Sequence, residues 1–509
     1  MNRSDDRLSR LAALGEARSP RPRGDGGIRT FAVFAAGIIV PALALLVLWR
    51  VADGRRGDSE PLDLRPDAVQ GTGRPVTEPL RTPLLSFRRT PGLLADDTNR
   101  AQLTAAVRTL SSRVGERSCL SVSLDGTDVQ RVGAERPVVP ASSMKVIVAA
   151  VALERLGRDH RFTTTLVGTV DGSSVVGDLT IVGGGDPLLT SDAFPIENDP
   201  QPVVNETSLD ALAIQLAEAG VTTVEGDVVA DESRYDDERY APDWVPADRN
   251  VEAGPLGALM VNDGRVTVSG VHSEDPSLGA AQEFVDVLGA QGIEVLGSAR
   301  AGSAPAGAEQ IATVKSSPLH AVVAEMLTTS DDNTAELLVK ELGIANDSTG
   351  TREGGLAVLR AQLDEWGADV AGMSLTDGSG LSATNLVTCD VLQMVLVDSG
   401  HADDLASGMA IAGETGTLSD VLGSSSVAGR MRAKTGTLSN RPAEADPPAS
   451  KALVGYVPSG RRHRIEFSLV LNGPTVSEPG EYLPVWEELA ATLGEYPAGP
   501  TARSLGPRR

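Results

Sequence analysis

Two lysine motifs and one serine turn could carry chemistry in this chain. Ser142-Ser143-Met144-Lys145 sets a hydroxyl and an amine at positions i and i+3. If Ser142 opens a helix, Lys145 lies one turn on, on the same face. A lysine amine pressed against apolar neighbours is disfavoured as a cation, so it can take the serine proton and make the hydroxyl a nucleophile. The helix N-terminus adds positive potential and free N–H groups near that oxygen. Lys434-Thr435-Gly436-Thr437 reads as a strand. There Gly436 would let a ligand lie close against the edge, Thr435 and Thr437 could bind a carboxylate, and Lys434 supplies charge. Ser330-Asp331-Asp332-Asn333 ends one helical pattern and precedes another. With five lysines in the chain, chance alone gives an S-x-x-K about 0.4 times but a K-T-G only roughly 0.04 times. Together the motifs point to acyl transfer through a serine.

The elements that must position these groups follow from periodicity. Leu103, Ala106, Val107 and Leu110 recur at helical spacing, and CLSVSLDG at 119–126 alternates like a strand ending in a turn. Met144 to Leu153 is apolar all round apart from Lys145, which suits a helix buried in a domain centre. Between Phe162 and about Lys315 the texture changes to short β-like runs broken by Gly and Asp. VVGDLTIV and VEGDVVAD share a Gly-Asp start at Gly177 and Gly226, a hint of repeated strands. Helical patterns return in LHAVVAEMLTTS (319–330) and NTAELLVKELG (333–343). Strand patterns follow in 431–438, 451–458 and 463–472, then a helix from about Glu481 to Leu493. This predicts an α/β domain formed by 96–163 and 316–497, interrupted by a β-rich insertion at 164–315, with a tail at 498–509.

Composition narrows the function classes. Aromatics are 3% of the chain and the formal net charge is −24, which speaks against base stacking and against a phosphate-backbone partner. The five histidines are not spaced as ligand pairs, and Cys119 and Cys389 are the only cysteines. No Cys/His metal cluster can be assembled and no cofactor is called for. One disulfide or two separate thiols both remain open. Residues 31–49 form a run of 19 uncharged residues after a polar, Arg-containing segment at 1–30. That run would span roughly 28 Å and is expected to be an uncleaved transmembrane anchor rather than a cleaved signal peptide. The Pro-rich stretch at 50–95 reads as an extended stalk. The catalytic part is then expected outside the cell membrane, on a single-pass anchor.

The order S-x-x-K, S-D-(N), K-T-G belongs to penicillin-binding proteins and class A β-lactamases. The chain resembles the D-alanyl-D-alanine carboxypeptidase/endopeptidase family of class C low-molecular-mass penicillin-binding proteins (peptidase family S13), which inserts β-rich material between the first two motifs. The resemblance covers about 100 to 495 and includes GDLTIVGGGDPLL (177–189), SDDNTAELLVKELG (330–343), TDGSGLS (376–382), GETGTL (413–418) and RAKTGTLSN (432–440). It implies a β-lactamase/transpeptidase-like fold, peptidoglycan stem peptides ending in D-Ala-D-Ala as substrate, and inhibition by β-lactam antibiotics. It implies Ser142 as nucleophile, Lys145 as its base and Ser330 as proton relay to the leaving amine. Lys434 would polarise the site, Thr435 would hold the terminal carboxylate, and the N–H groups of Ser142 and Thr437 would form an oxyanion hole. The family's second motif is Ser-x-Asn, whereas Asp332 stands at that position and Asn333 comes one residue late. An Asn amide donates, while an ionised Asp only accepts and favours a charged Lys145. Either the turn shifts so that Asn333 faces the cleft, or Asp332 fills the position and acts protonated or with weaker activity. Asp186, Asp377 and Glu414 read as turn chemistry, and the acidic Pro/Ala segment from Arg441 to Ser450 has no account. The alternatives are a serine β-lactamase or D-peptide esterase on the same scaffold, or a non-catalytic module binding cell-wall peptides.

Overall fold

The computed structural model describes residues 89–194, 204–266, 271–346, 350–439, 449–460 and 463–506. The expected span at 31–49 lies outside them. Among the described residues no helix is long and apolar enough to cross a membrane. The stalk expected over 50–95 overlaps a helix, α1 (Thr90–Leu110), which starts with Pro91 in its first turn, where a missing N–H costs nothing. Leu103, Val107 and Leu110 bury its inner stripe.

A six-stranded sheet carries the motifs. Its strands are β1 (Cys119–Leu124) and β2 (Thr127–Val132) from the start of the domain, and four from its end. Between them in the chain comes α2 (Met144–Leu156), entered through a single turn at Ala141–Ser143. Every side chain from Met144 to Leu153 is buried, which is why that run is apolar on all sides.

The insertion builds a second sheet. It contains β3 (Thr163–Asp171), β4 (Ser174–Val182), β5 (Val228–Asp231), β6 (Ala299–Ala301) and β7 (Gln310–Lys315), in the order β6-β5-β4-β3-β7, with one short strand (Thr223–Val224) beside β4 and a second (Glu294–Val295) beside that one. α3 (Asp210–Glu218) and α4 (Pro276–Ala290) cover it, with Leu212, Leu216, Phe284 and Leu288 packed on Leu179, Ile181 and Val228. The repeated Gly-Asp starts become neighbours: β4 and β5 run in parallel, and Arg300 bridges Asp178 at 2.6 Å and Asp227 at 3.0 Å.

The chain then returns as α5 (Leu319–Thr329), α6 (Asp332–Ala345), α7 (Arg352–Glu365), α8 (Cys389–Asp398) and α9 (Ala402–Gly408). It ends in β8 (Ala410–Ile411), β9 (Arg432–Leu438), β10 (Ala449–Ser459), β11 (His463–Gly473) and α10 (Pro479–Gly494), in the sheet order β8-β9-β10-β11-β1-β2. Strand residues point alternately to the two faces, and both faces are covered. Ala452, Val454 and Tyr456 of β10 face a core shared with α2, α5, α6 and α8. Leu453 and Val457 face α1 and α10. Cys119 of β1 and Cys389 of α8 form a disulfide, with Cα atoms 5.9 Å apart, so the sheet is stapled to the helical layer.

Candidate active site

The first motif sits where strand and helix cores meet. Ala141, at φ 49°, takes a left-handed conformation that a non-glycine residue adopts only under constraint. That kink presents the half-buried Ser142 at the mouth of α2. Lys145, fully buried, approaches Ser142 Oγ at 3.0 Å. Its Nζ also donates to Asp332 Oδ1 and, at 2.6 Å, to the Ser379 carbonyl. Two of its three neighbours are obligate acceptors. As placed, Nζ donates to all three; once it has given up one hydrogen, those to Asp332 and Ser379 can stay and the lone pair is left for the Ser142 hydroxyl. The arrangement sets a buried amine against a half-buried serine hydroxyl.

The second motif occupies the turn between α5 and α6. Ser330 is left-handed (φ 71°) and ends α5, while the Asp331 side chain caps α6 by accepting from Thr334 N at 3.2 Å. This cap fixes the helix register, so Asp332 faces α2 and reaches Lys145. Of the two readings the sequence leaves open, the shifted turn is therefore not adopted. Asn333 turns toward the insertion, accepting from Gly254 N at 3.1 Å and donating to Asp263. Burial pushes the Asp332 carboxyl up to about 6, against the opposing pull of Lys145.

The third motif lies on β9. β8 pairs only with Arg432 and Ala433, so from Lys434 onward β8 leaves that edge of β9 uncovered. Gly436 passes 2.8 Å (from the position of an added Cβ) from the Pro140 carbonyl, so any side chain there would push β9 off the Ser142 turn. Buried Lys434 points to Ser330, with Nζ to Oγ at 2.8 Å. Burial and the nearby Lys145 push its amine well below the usual lysine range. Thr435 Oγ1 is held by Thr417 Oγ1 at 2.8 Å, and exposed Thr437 accepts from Lys451 Nζ at 2.7 Å. Lys451 in turn stacks over Tyr482, 4.1 Å from the ring centre.

Ser142, Lys145, Ser330, Asp332, Lys434, Thr435, Gly436 and Thr437 thus converge, and Asn333 does not join them. Sequence reading missed Glu336, Ser379, Thr417 and Lys451. Ser379 and Thr417 lie within TDGSGLS and GETGTL, singled out as segments without roles for their members. Asp377 is a loop organiser: its carboxylate accepts from Gly380 N, Ser382 N and Trp244 Nε1 at 2.8, 2.6 and 2.8 Å. Asp186 accepts from Leu188 N two residues on, and Glu414 flanks Gly429; neither bonds to the motif side chains.

Known proteins resemble this chain in sequence and in fold. A family model described as the D-Ala-D-Ala carboxypeptidase 3 (S13) family matches residues 122–273 and 267–482. A D-alanyl-D-alanine carboxypeptidase from an Actinomadura species is 30% identical over 538 residues, spanning 86% of this chain and 94% of that protein. A carboxypeptidase from Mycobacterium tuberculosis is 32% identical over 349 residues, spanning 66% of this chain and 71% of that one. Among solved structures, penicillin-binding protein 4 of Haemophilus influenzae superposes with a TM-score of 0.62 at 20% identity, covering 77% of this chain and 99% of that one. This last likeness is one of fold.

Proposed function

The chain belongs to the D-Ala-D-Ala carboxypeptidase 3 (S13) family, and from that premise we propose a serine-type D-Ala-D-Ala carboxypeptidase that trims peptidoglycan stem peptides through an acyl-enzyme on Ser142. The observation that carries this reading is the three-way coordination of Lys145 Nζ by Ser142, Asp332 and Ser379.

The substrate strand would lie along the uncovered edge of β9, with its terminal carboxylate at Thr435 and Lys434. Ser142 Oγ attacks the penultimate D-Ala carbonyl while its proton passes to Lys145 Nζ. The N–H groups of Ser142 and Thr437 receive the developing oxyanion, where preorganised donors contribute most. Collapse breaks the peptide bond, and the proton reaches the departing D-Ala amine through Ser330, which Lys434 orients. Water then attacks the ester and releases the trimmed peptide. A β-lactam acylates the same oxygen and departs slowly. Action on peptide cross-links would use the same steps with a larger leaving group.

The 31–49 run serves in this reading as a membrane anchor with the catalytic part outside the cell membrane. The Cys119–Cys389 disulfide supports an oxidising location. Mass spectrometry of the penicillin-treated protein tests the proposal: an adduct confined to Ser142 and absent in Ser142→Ala is expected. Intact protein without an adduct would overturn it.

A further inference from the structure

Glu336 lies one turn beyond Asp332 on the same face of α6 and is fully buried, at 1% exposure. A carboxyl in such a place needs a reason, because burial without partners costs several kcal/mol. One oxygen has partners: Glu336 Oε1 accepts from Gly378 N at 3.0 Å and Ser379 N at 2.7 Å. The other, Oε2, has no hydrogen-bond partner. The backbone that Glu336 grips is the one whose Ser379 carbonyl accepts from Lys145 Nζ at 2.6 Å. Glu336 thus fixes the two peptides leading into Ser379, while the plane that carries the Ser379 carbonyl is held at its other end by Gly380 N donating to Asp377 Oδ1 at 2.8 Å.

The surroundings leave that loop few other positions. A side chain at Gly378 would place its Cβ 2.4 Å from Val339 Cγ2, so the loop lies flush on α6. At Gly380, φ 87°, a Cβ would fall 2.0 Å from the Ala141 carbonyl. The segment 377–380 is therefore clamped between α6 and the turn that presents Ser142, and Glu336 is its hydrogen-bonded anchor on the helix side.

We propose that Glu336 is a positioning residue for Lys145: by holding Gly378 and Ser379 it aims the Ser379 carbonyl at Nζ, which occupies one amine hydrogen and turns the lone pair to Ser142. This rests on the acyl-enzyme reading of Ser142. Glu336 touches neither substrate nor the reacting atoms. Its electrostatic setting agrees with that part. Burial, then the Asp377 charge, push its carboxyl up to about 8. The charged groups facing it are Asp377 from the loop and Arg352 from α7, with Lys145 one carbonyl away. At neutral pH it is a neutral acceptor that adds no charge beside the base. Above about pH 8 it gains one, which opposes proton removal from Ser142.

The test compares Glu336→Gln and Glu336→Ala with the unaltered protein, reading the rate of Ser142 acylation by a fluorescent penicillin from pH 6 to 10. Glu336→Ala should acylate about 10- to 100-fold more slowly, the scale expected when a catalytic group is mis-aimed by an ångström. Glu336→Gln, whose carboxamide oxygen can accept both N–H groups, should stay within about threefold at neutral pH and lack the fall above about pH 8. Wild-type rate and profile in Glu336→Ala would overturn the proposal, as would a loss in Glu336→Gln equal to that in Glu336→Ala. If Glu336→Ala does not fold, the decision passes to Glu336→Gln, where retention of the alkaline fall overturns the proposal and its disappearance supports it. Failure of the unaltered protein to form a Ser142 adduct is a separate result, which removes the acyl-enzyme reading itself.

Discussion

Lys434 Nζ and Ser330 Oγ meet at 2.8 Å across 104 residues of sequence. The contact joins the strand that would hold the substrate to the turn that ends α5. Because Nζ also donates to the Thr435 carbonyl at 2.7 Å, the Lys434 head is fixed and the Ser330 hydroxyl keeps its hydrogen for another acceptor. Ser330→Ala should therefore slow release of D-Ala from a stem peptide by about 100-fold or more while changing peptide affinity little. Steady-state kinetics would show this as a loss in kcat with KM nearly constant, and a pure rise in KM would contradict the relay role.

Asp332 gives the site an acid-side dependence. Its folded value near 6 exceeds the ordinary 3.8, so the fold favours the protonated form, and the stability it lends below about pH 4 is lost as pH rises through 6. Relative to Asp332→Asn, the wild-type protein should lose up to about 3 kcal/mol of unfolding free energy over that window. Urea denaturation at several pH values measures it. In acylation the sign is reversed: the ionised carboxylate accepts from Lys145, so wild-type rates should fall below about pH 6 and the Asn variant should lack that step.

Asn333→Ala should separate structure from chemistry. It removes the bonds to Gly254 and Asp263 and leaves buried polar groups unpaired, costing about 1–3 kcal/mol of stability. Acylation by penicillin should change by less than about threefold, since no contact to Lys145 is lost. A large fall in the acylation rate of the folded variant would put Asn333 back in the cleft.

Gly380→Ala should be poorly tolerated. The added methyl carbon would overlap the Ala141 carbonyl in a residue at φ 87°, so either the loop or the Ser142 turn must move. A loss of at least about 2 kcal/mol, or of most penicillin binding in folded protein, is expected. Thermal denaturation together with adduct formation distinguishes the two outcomes.

Reduction of the Cys119–Cys389 bridge should lower stability by about 2–4 kcal/mol, because it closes a loop of 270 residues. Cys119→Ala with Cys389→Ala should melt at the same temperature with or without reductant, whereas the wild-type protein should not.

Much of the candidate site is legible in the sequence because side-chain chemistry declares itself by type and spacing. Ser142 and Lys145 follow from one helical turn, and Lys434, Thr435 and Gly436 from a strand whose glycine makes sense only at close approach. The Gly-Asp starts at 177 and 226 hint at repeated strands, but that the two strands are parallel neighbours is set by the pairing in space. The Ser379 carbonyl leaves no such trace: a backbone acceptor can belong to any residue type, and Glu336, which directs it, looks like an ordinary helical charge. Which of Asp332 and Asn333 faces Lys145 depends on the Asp331 cap, a choice of register that composition does not record. The cysteine pair stayed ambiguous because pairing depends on distance in space, not along the chain.

One property of the main sheet governs how the molecule can be made. β1 is hydrogen-bonded along its length to β11, and Ser123 meets Glu466, 343 residues later. During synthesis β1 can pair with β2 at once but must wait for almost the entire chain before β11 exists, whereas the insertion's strands all lie between residues 163 and 315. Such distant pairing closes late. A chain ending before His463 would thus retain every motif residue yet lack β11, the strand that joins β1-β2 to β8-β9-β10, and its nascent form would be exposed to proteases and to its own copies until that strand arrives.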